Sequence, residues 1–177
     1  MSCNARPCWG EDSGNRNASP KESHKKNMSY TRLIYHIVFR TRESLPTINE
    51  QHETELYRYI WGLVRNKGGV LGRINGMPDH IHMLVELPAD QNVSDFVRTI
   101  KISTNNFCKA HADLFPHFQG WAKKYCALTY GINEREKIVN YIKGQKEHHK
   151  KESFPEELER MLQEFHIKYD ERYLHAD

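Results

Sequence analysis

Two histidines one residue apart lie in the run His80-Ile81-His82-Met83-Leu84-Val85-Glu86-Leu87. In an extended strand the side chains alternate between faces, so His80, His82, Leu84 and Glu86 share one side and Ile81, Met83, Val85 and Leu87 the other. Imidazoles at i and i+2 sit about 7 Å apart at Cα, and their nitrogens can converge on one divalent ion at about 2.1 Å. The competing reading is chance. Eleven histidines in 177 residues produce about 0.7 His-x-His pairs at random, so spacing alone leaves both readings open. Glu86, on the same face, is either a partner that orients a histidine or a solvated charge.

A second group is Tyr141-Ile142-Lys143-Gly144-Gln145. Tyr141 and Gln145 are four residues apart and share a helix face, which His148 and His149 continue one turn on. Read alone, Tyr141 is a packed aromatic beside Ile138, Val139 and Ile142, and Gln145 is a solvated helix residue. Gly144 costs a helix about 1 kcal/mol relative to alanine. It marks either a close approach to a neighbouring strand or a hinge. Candidate phosphate contacts are Arg98, Lys101 and Lys109, then Lys123 and Lys124, then Lys143, Lys146, Lys150 and Lys151. Each of these is, taken singly, also an ordinary surface charge.

The elements that must carry these residues follow from periodicity and turn chemistry. Residues 30–40 are dense in β-branched and aromatic side chains and predict a strand. Leu56, Ile60, Leu63 and Val64 predict a helix over 50–67, ended by Gly68-Gly69. A short strand over 70–74, a turn at Asn75-Gly76-Met77-Pro78-Asp79 and a returning strand over 80–87 come next. A second helix over 92–111 and a fourth strand over 125–130 complete the order strand, helix, strand, strand, helix, strand. That order is the split βαβ, ferredoxin-like arrangement: an α+β fold with a four-stranded antiparallel sheet and two helices on one face. Asn133-Glu134-Arg135-Glu136 resembles a capping box opening a third helix that runs to about His149. Ser153-Phe154-Pro155-Glu156 is a fuller box opening a fourth, with Leu158, Met161, Leu162 and Phe165 on its apolar side.

Composition narrows the function classes. The chain has one domain's worth of residues, and no apolar run approaches the roughly 20 residues of a membrane span. Residues 1–28 are polar, rich in Ser, Asn, Gly and Lys, and without period, which predicts a disordered tail before a single domain over 29–177. The charge is +3, too near balance to announce a nucleic-acid binder by itself, so an anionic partner must meet a local patch. Cysteines at 3, 8, 108 and 126 form no Cys-x-x-Cys pair. With no apolar leader, they read as reduced thiols in a cytoplasm.

His80-Ile81-His82 resembles the His-hydrophobic-His motif of the HUH nucleases. Tyr141 with Gln145 resembles the tyrosine-helix motif of single-tyrosine transposases of small bacterial insertion sequences, the family that includes REP-associated tyrosine transposases. The likeness extends to residues 35–39, 76–82, 93–96 and 148–174, and spans roughly 29–175. It implies that the C-terminal helical extension carries a catalytic tyrosine, Tyr141. It implies a Mg²⁺ or Mn²⁺ ion held by His80, His82 and Gln145, beside which Glu86 and His148 are candidates to orient the ligands. The activity implied is cleavage and rejoining of single-stranded DNA through a 5′-phosphotyrosine link, acting on hairpin-flanked element ends in a bacterial cytoplasm. A homodimer is implied too, in which the tyrosine helix of one subunit completes the histidine site of the other, with Gly144 as hinge. Alternatives are a domesticated nuclease acting on dispersed repeats, a non-catalytic single-stranded nucleic-acid module that stacks bases on the free sheet face, and a structural protein whose histidines take adventitious zinc.

Overall fold

The computed structural model describes residues 30–170. The tail expected over 1–28 lies outside the described residues, as do 171–177. Four strands, β1 (Leu33–Arg40), β2 (Val70–Met77), β3 (His80–Leu87) and β4 (Cys126–Thr129), form one antiparallel sheet in the order β2-β3-β1-β4. Helices α1 (Glu53–Asn66) and α2 (Val93–Ala110) follow β1 and β3. This is the split βαβ order read from the sequence.

Alternation decides the layers. Ile37 and Phe39 of β1, with Ile81, Met83, Val85 and Leu87 of β3, pack with Leu56, Ile60 and Val64 of α1 and Phe96, Val97 and Ile100 of α2 in the main core. Asn92 starts α2 by accepting hydrogen bonds from the Ser94 and Asp95 amides at 2.9 and 3.2 Å, two donors the first turn cannot pair internally. The opposite face of the sheet is covered by α3 (Arg135–Lys143), α4 (Gln145–His148) and α5 (Phe154–Glu164). Ile138 and Ile142 of α3 bury against Ile34 and Leu84. Phe154 and Met161 of α5 pack with Val38, Cys126 and Leu128.

Besides shifts of one to three residues at several ends, three departures from the sequence expectation bear on the site. β2 runs to Met77, because Asn75, Gly76 and Met77 pair with His82, Ile81 and His80 and leave only Pro78-Asp79 to turn. The third helix breaks at Gly144, whose amide bonds back to the Asn140 and Tyr141 carbonyls at 3.0 and 3.1 Å before a new turn begins. The box placed at Asn133 is displaced: Glu134 reaches back to the Gly131 amide at 3.1 Å around a 3₁₀ turn, and α3 begins after it. The box at Ser153 forms as expected, its amide and hydroxyl both donating to Glu156 Oε2, at 2.9 and 2.6 Å.

Candidate active site

β3 brings His80 and His82 onto the face covered by α3–α5, where both are fully buried. Asp79, in the turn, approaches His80 Nδ1 at 2.7 Å, which leaves Nε2 to point inward. Burial would raise the Asp79 carboxyl, but its bond with His80 holds it low. On β1, His36 Nε2 lies 3.0 Å from His82 Nδ1. His36 and His82 are pushed down to about 3 and about 4, burial being the main cause in each.

The helices supply the rest. Asn75 Nδ2 donates to the Ile142 and Lys143 carbonyls at 3.0 and 3.1 Å, which satisfies the end of α3 and fixes its last turn over the sheet. That turn carries Tyr141, whose ring centroid is 6.2 Å from that of His82. α5 begins at the Ser153 box, and one turn in it places Glu157, with none of its surface exposed, against the histidines. Glu157 Oε2 is 3.3 Å from His82 Nε2, 3.2 Å from His149 Nε2 and 3.9 Å from His80 Nε2. Glu157 Oε1 faces the other way: it accepts the Tyr141 hydroxyl and, at 2.9 Å, the Gln145 amide.

This arrangement fits a metal ion. Ligand atoms of His80, His82, His149 and Glu157 all lie within 4.8 Å of one another. The buried atoms His80 Nε2, His82 Nε2, His149 Nε2, Glu157 Oε2 and Gln145 Oε1 have no hydrogen-bond partner among the described residues. Buried polar atoms are seldom left so, and the four of His80, His82, His149 and Glu157, gathered in one place, call for an ion to join them. Three imidazoles and a carboxylate suit Mn²⁺ or a later transition ion better than Mg²⁺, which prefers an all-oxygen shell. Burial alone would raise the Glu157 carboxyl, but contacts with His149, His82 and Tyr141 hold it well below the carboxylate range. Glu157 is thus an anion, and despite burial it pulls His149 upward.

The Tyr141 phenol is raised above its ordinary value by burial and then by the Glu157 charge. Arg160, one turn along α5, opposes this. Its Nη2 donates to the phenol oxygen at 3.1 Å while Nε and Nη2 hold Glu152 at 3.0 Å each. His148 sits between these groups, 2.5 Å from Glu152 Oε2 and 3.8 Å from Glu157 Oε1.

Other sequence candidates stand elsewhere. Of the two readings of Glu86, the structure has it facing Arg32 at 3.5 Å, while Asp79 is the carboxylate beside His80. The Lys101 ammonium donates to the Ala122, Lys123 and Lys124 carbonyls at 3.0, 3.1 and 2.7 Å. Lys146 is held by Glu53 at 2.8 Å, and the exposed Arg98 pairs with Asp95 at 2.9 Å. Arg98, Lys101 and Lys123 line one groove outside α2 with Arg42 and Tyr125. Lys124 and Lys143 are exposed. Among the described residues Gly144 meets no strand: a Cβ there would touch the Asn140 and Tyr141 carbonyls of its own helix, at 3.4 and 3.7 Å.

Sequence reasoning missed Asp79, Glu157 and Arg160, and it left His149 and His36 outside the site. The signal for Glu157 was present. Phe154, Leu158 and Met161 mark the buried stripe of α5, and Glu157 is the charge inside that stripe.

The family profile described as "Transposase IS200 like" matches residues 29–145. The ISDra2 transposase TnpA of Deinococcus radiodurans is 28% identical over 126 residues, covering 68% of this chain and 90% of that protein. The crystal structure of a transposase from Deinococcus radiodurans R1 matches with a TM-score of 0.53 at 27% identity, over 68% of this chain and 97% of that one. A REP-associated tyrosine transposase bound to a REP hairpin matches in fold, with a TM-score of 0.51 at 17% identity, over 66% of this chain and 68% of that one. The profile takes in His80, His82, Tyr141 and Gln145 and stops short of His149, Glu157 and Arg160. Because it runs unbroken from β1 through the tyrosine helix, on a fold shared with solved transposases, this chain belongs to the IS200-like, single-tyrosine HUH transposases, a family of DNA-cleaving enzymes.

Proposed function

We propose that this transposase cleaves and rejoins single-stranded DNA in the cytoplasm, with Tyr141 as nucleophile and a divalent ion at His80, His82, His149 and Glu157. One observation carries the reading: a single buried carboxylate, Glu157, turns one oxygen to the converging imidazoles and the other to the Tyr141 hydroxyl. Glu157 Oε1 orients the Tyr141 hydroxyl, and Arg160 is placed to hold the phenolate once its proton leaves to water. Tyr141 Oη then bonds to the scissile phosphorus, and the bond from phosphorus to the 3′ oxygen breaks. The 3′ oxygen takes up a proton, and a 5′-phosphotyrosine link remains. The ion, Mn²⁺ more readily than Mg²⁺, supplies positive charge to the phosphate oxygens when bound. Rejoining reverses these steps from a 3′-hydroxyl, so no nucleotide energy source is required.

Gln145 enters this scheme in one of two ways: as a ligand through Oε1, or as the donor that orients Glu157. The cis arrangement is favoured over the composite dimer, since Tyr141 bonds to Glu157 beside the histidines of its own chain. A base-stacking module is disfavoured, because the sheet face it would leave open lies under α3–α5.

The test is incubation with Mn²⁺ and labelled single-stranded oligonucleotides drawn from the DNA flanking the gene, followed by denaturing electrophoresis. Wild type is expected to form a covalent protein–DNA adduct, and Tyr141→Phe or added chelator to abolish it. An undiminished adduct in Tyr141→Phe would assign the nucleophile to another residue.

A further inference from the structure

The two histidines of β3 are oriented by different groups. For His80 the group is the Asp79 carboxylate at 2.7 Å. For His82 it is another imidazole. β1 lies beside β3 with Val38 opposite His82 and His36 opposite Leu84. His36 is therefore the diagonal neighbour of His82 on the same sheet face, within side-chain reach. Both rings are buried, their centroids are 5.2 Å apart, and His36 Nε2 stands 3.0 Å from His82 Nδ1. His36 takes no part in the metal cluster.

A neutral imidazole has one N–H and one bare nitrogen, so the contact between the two rings holds a single shared proton. The inward nitrogen of His82 is Nε2, 3.3 Å from Glu157 Oε2. To ligate an ion, Nε2 must be bare, so the proton of His82 must stand on Nδ1. There it faces His36 Nε2, which has to accept it, and the proton of His36 must in turn stand on its own Nδ1. The requirement passes back through two rings from the site to β1.

We propose that His36 is a positioning residue for His82: it accepts the His82 Nδ1 proton and so holds Nε2 as the ligating atom. This rests on the metal reading of the cluster. It also accounts for a polar side chain buried in the middle of the central strand. Both rings stay neutral and each keeps one proton, so loading a metal moves no charge through the pair. With the site free of metal, the opposite arrangement is open, in which His82 Nε2–H faces Glu157 and His36 Nε2–H donates to His82 Nδ1.

Two measurements test this. Calorimetric titration of Mn²⁺ into wild type, His36→Gln and His36→Leu compares an amide that can accept at the Nε2 position with a side chain that cannot. His36→Leu should bind Mn²⁺ roughly 10–100-fold more weakly, and His36→Gln should recover most of the loss, with chelated samples melting alike. Affinity equal to wild type in His36→Leu, or a loss equal in Leu and Gln, overturns the proposal. Should His36→Leu fail to fold, long-range ¹H–¹⁵N spectra of wild-type protein loaded with Zn²⁺ decide. His82 should carry its proton on Nδ1 and His36 likewise, and a bare His82 Nδ1 overturns the proposal. A wild type that binds neither Mn²⁺ nor Zn²⁺ overturns the metal reading itself, a different outcome from wild-type binding that His36 does not influence.

Discussion

Glu157 faces two ways: one oxygen meets the imidazoles of His80, His82 and His149, and the other accepts the Tyr141 hydroxyl. This gives a ranking of substitutions. His82→Ala removes a ligand and should cost Mn²⁺ affinity about 100-fold or more. Glu157→Gln keeps the shape but loses the anion and should follow closely. Gln145→Ala should cost least, since a neutral amide is the poorest ligand among these groups. Calorimetry with Mn²⁺ checks the order, and a loss for Gln145→Ala equal to that for His82→Ala would restore the ligand set implied by family resemblance. The buried imidazoles also set a pH dependence. His36 and His82 titrate at about 3 and about 4 in the folded chain against 6.5 as the ordinary value. Between those values the unfolded chain binds more protons, so stability falls as pH falls. In chelator, wild type should therefore lose unfolding free energy steadily from pH 6.5 to 4, and His36→Leu should flatten that slope. Identical slopes in chemical denaturation would show that His36 is not held neutral.

The elements set these residues through two glycines of opposite kind. At Gly76, a Cβ would lie 2.2 Å from the His80 carbonyl oxygen. Only glycine lets β2 approach β3 so closely beside the histidines. Gly76→Ala should destabilise the protein by about 2 kcal/mol or more and weaken Mn²⁺ binding with it, because relief of the clash must shift His80. At Gly144 the backbone has φ −85° and ψ 6°, open to any residue, and the nearest atom to a Cβ is 3.4 Å away. Gly144→Ala should be neutral or stabilise by about 0.4–1 kcal/mol. Thermal melting of both variants checks the contrast, and a Gly144→Ala protein that melts many degrees lower would reveal a constraint the local geometry does not contain. The same pair shows what the sequence could and could not tell. Gly76 and Asn75 read as turn residues by type, yet both lie in the ladder, because what they answer is the close approach of β3 and the carbonyls ending α3. The partner of Gly76 lies just across the turn, whereas the Ile142 carbonyl that Asn75 meets is 67 residues away in sequence.

Across the whole molecule, the alternating and helical periods of the first six elements encode the sheet and its first layer of helices, since each buries its own apolar stripe against a neighbour in the chain. His80 with His82, and Tyr141 with Gln145, stood out by type and spacing, but both structural and functional readings stayed open until the family resemblance suggested roles for them. Glu157 left a trace only as a charge inside the apolar stripe of α5, and Arg160 and Asp79 left none, because their contacts exist only once α5 lies across the second sheet face and the turn closes on His80. That docking also bears on whether one chain or two build a site. Tyr141 bonds to Glu157 and Arg160, α3 is tied to β2 through Asn75, and Ile138 and Ile142 are buried against Leu84. For the tyrosine helix to serve a partner's histidines, all of these contacts must open in both chains. The expectation is therefore a site complete within one chain, whatever the oligomeric state. Mixing Tyr141→Phe with the double variant His80→Ala/His82→Ala checks it, after unfolding and refolding together to exchange any subunits. In cis, each chain lacks either the nucleophile or the histidines, and the mixture should form no more adduct than its separate components. Recovery of adduct toward half the wild-type level of a single site in mixed dimers would mean that α3 and Tyr141 cross to the partner, and that the contacts holding them to Glu157 and Asn75 are remade between subunits.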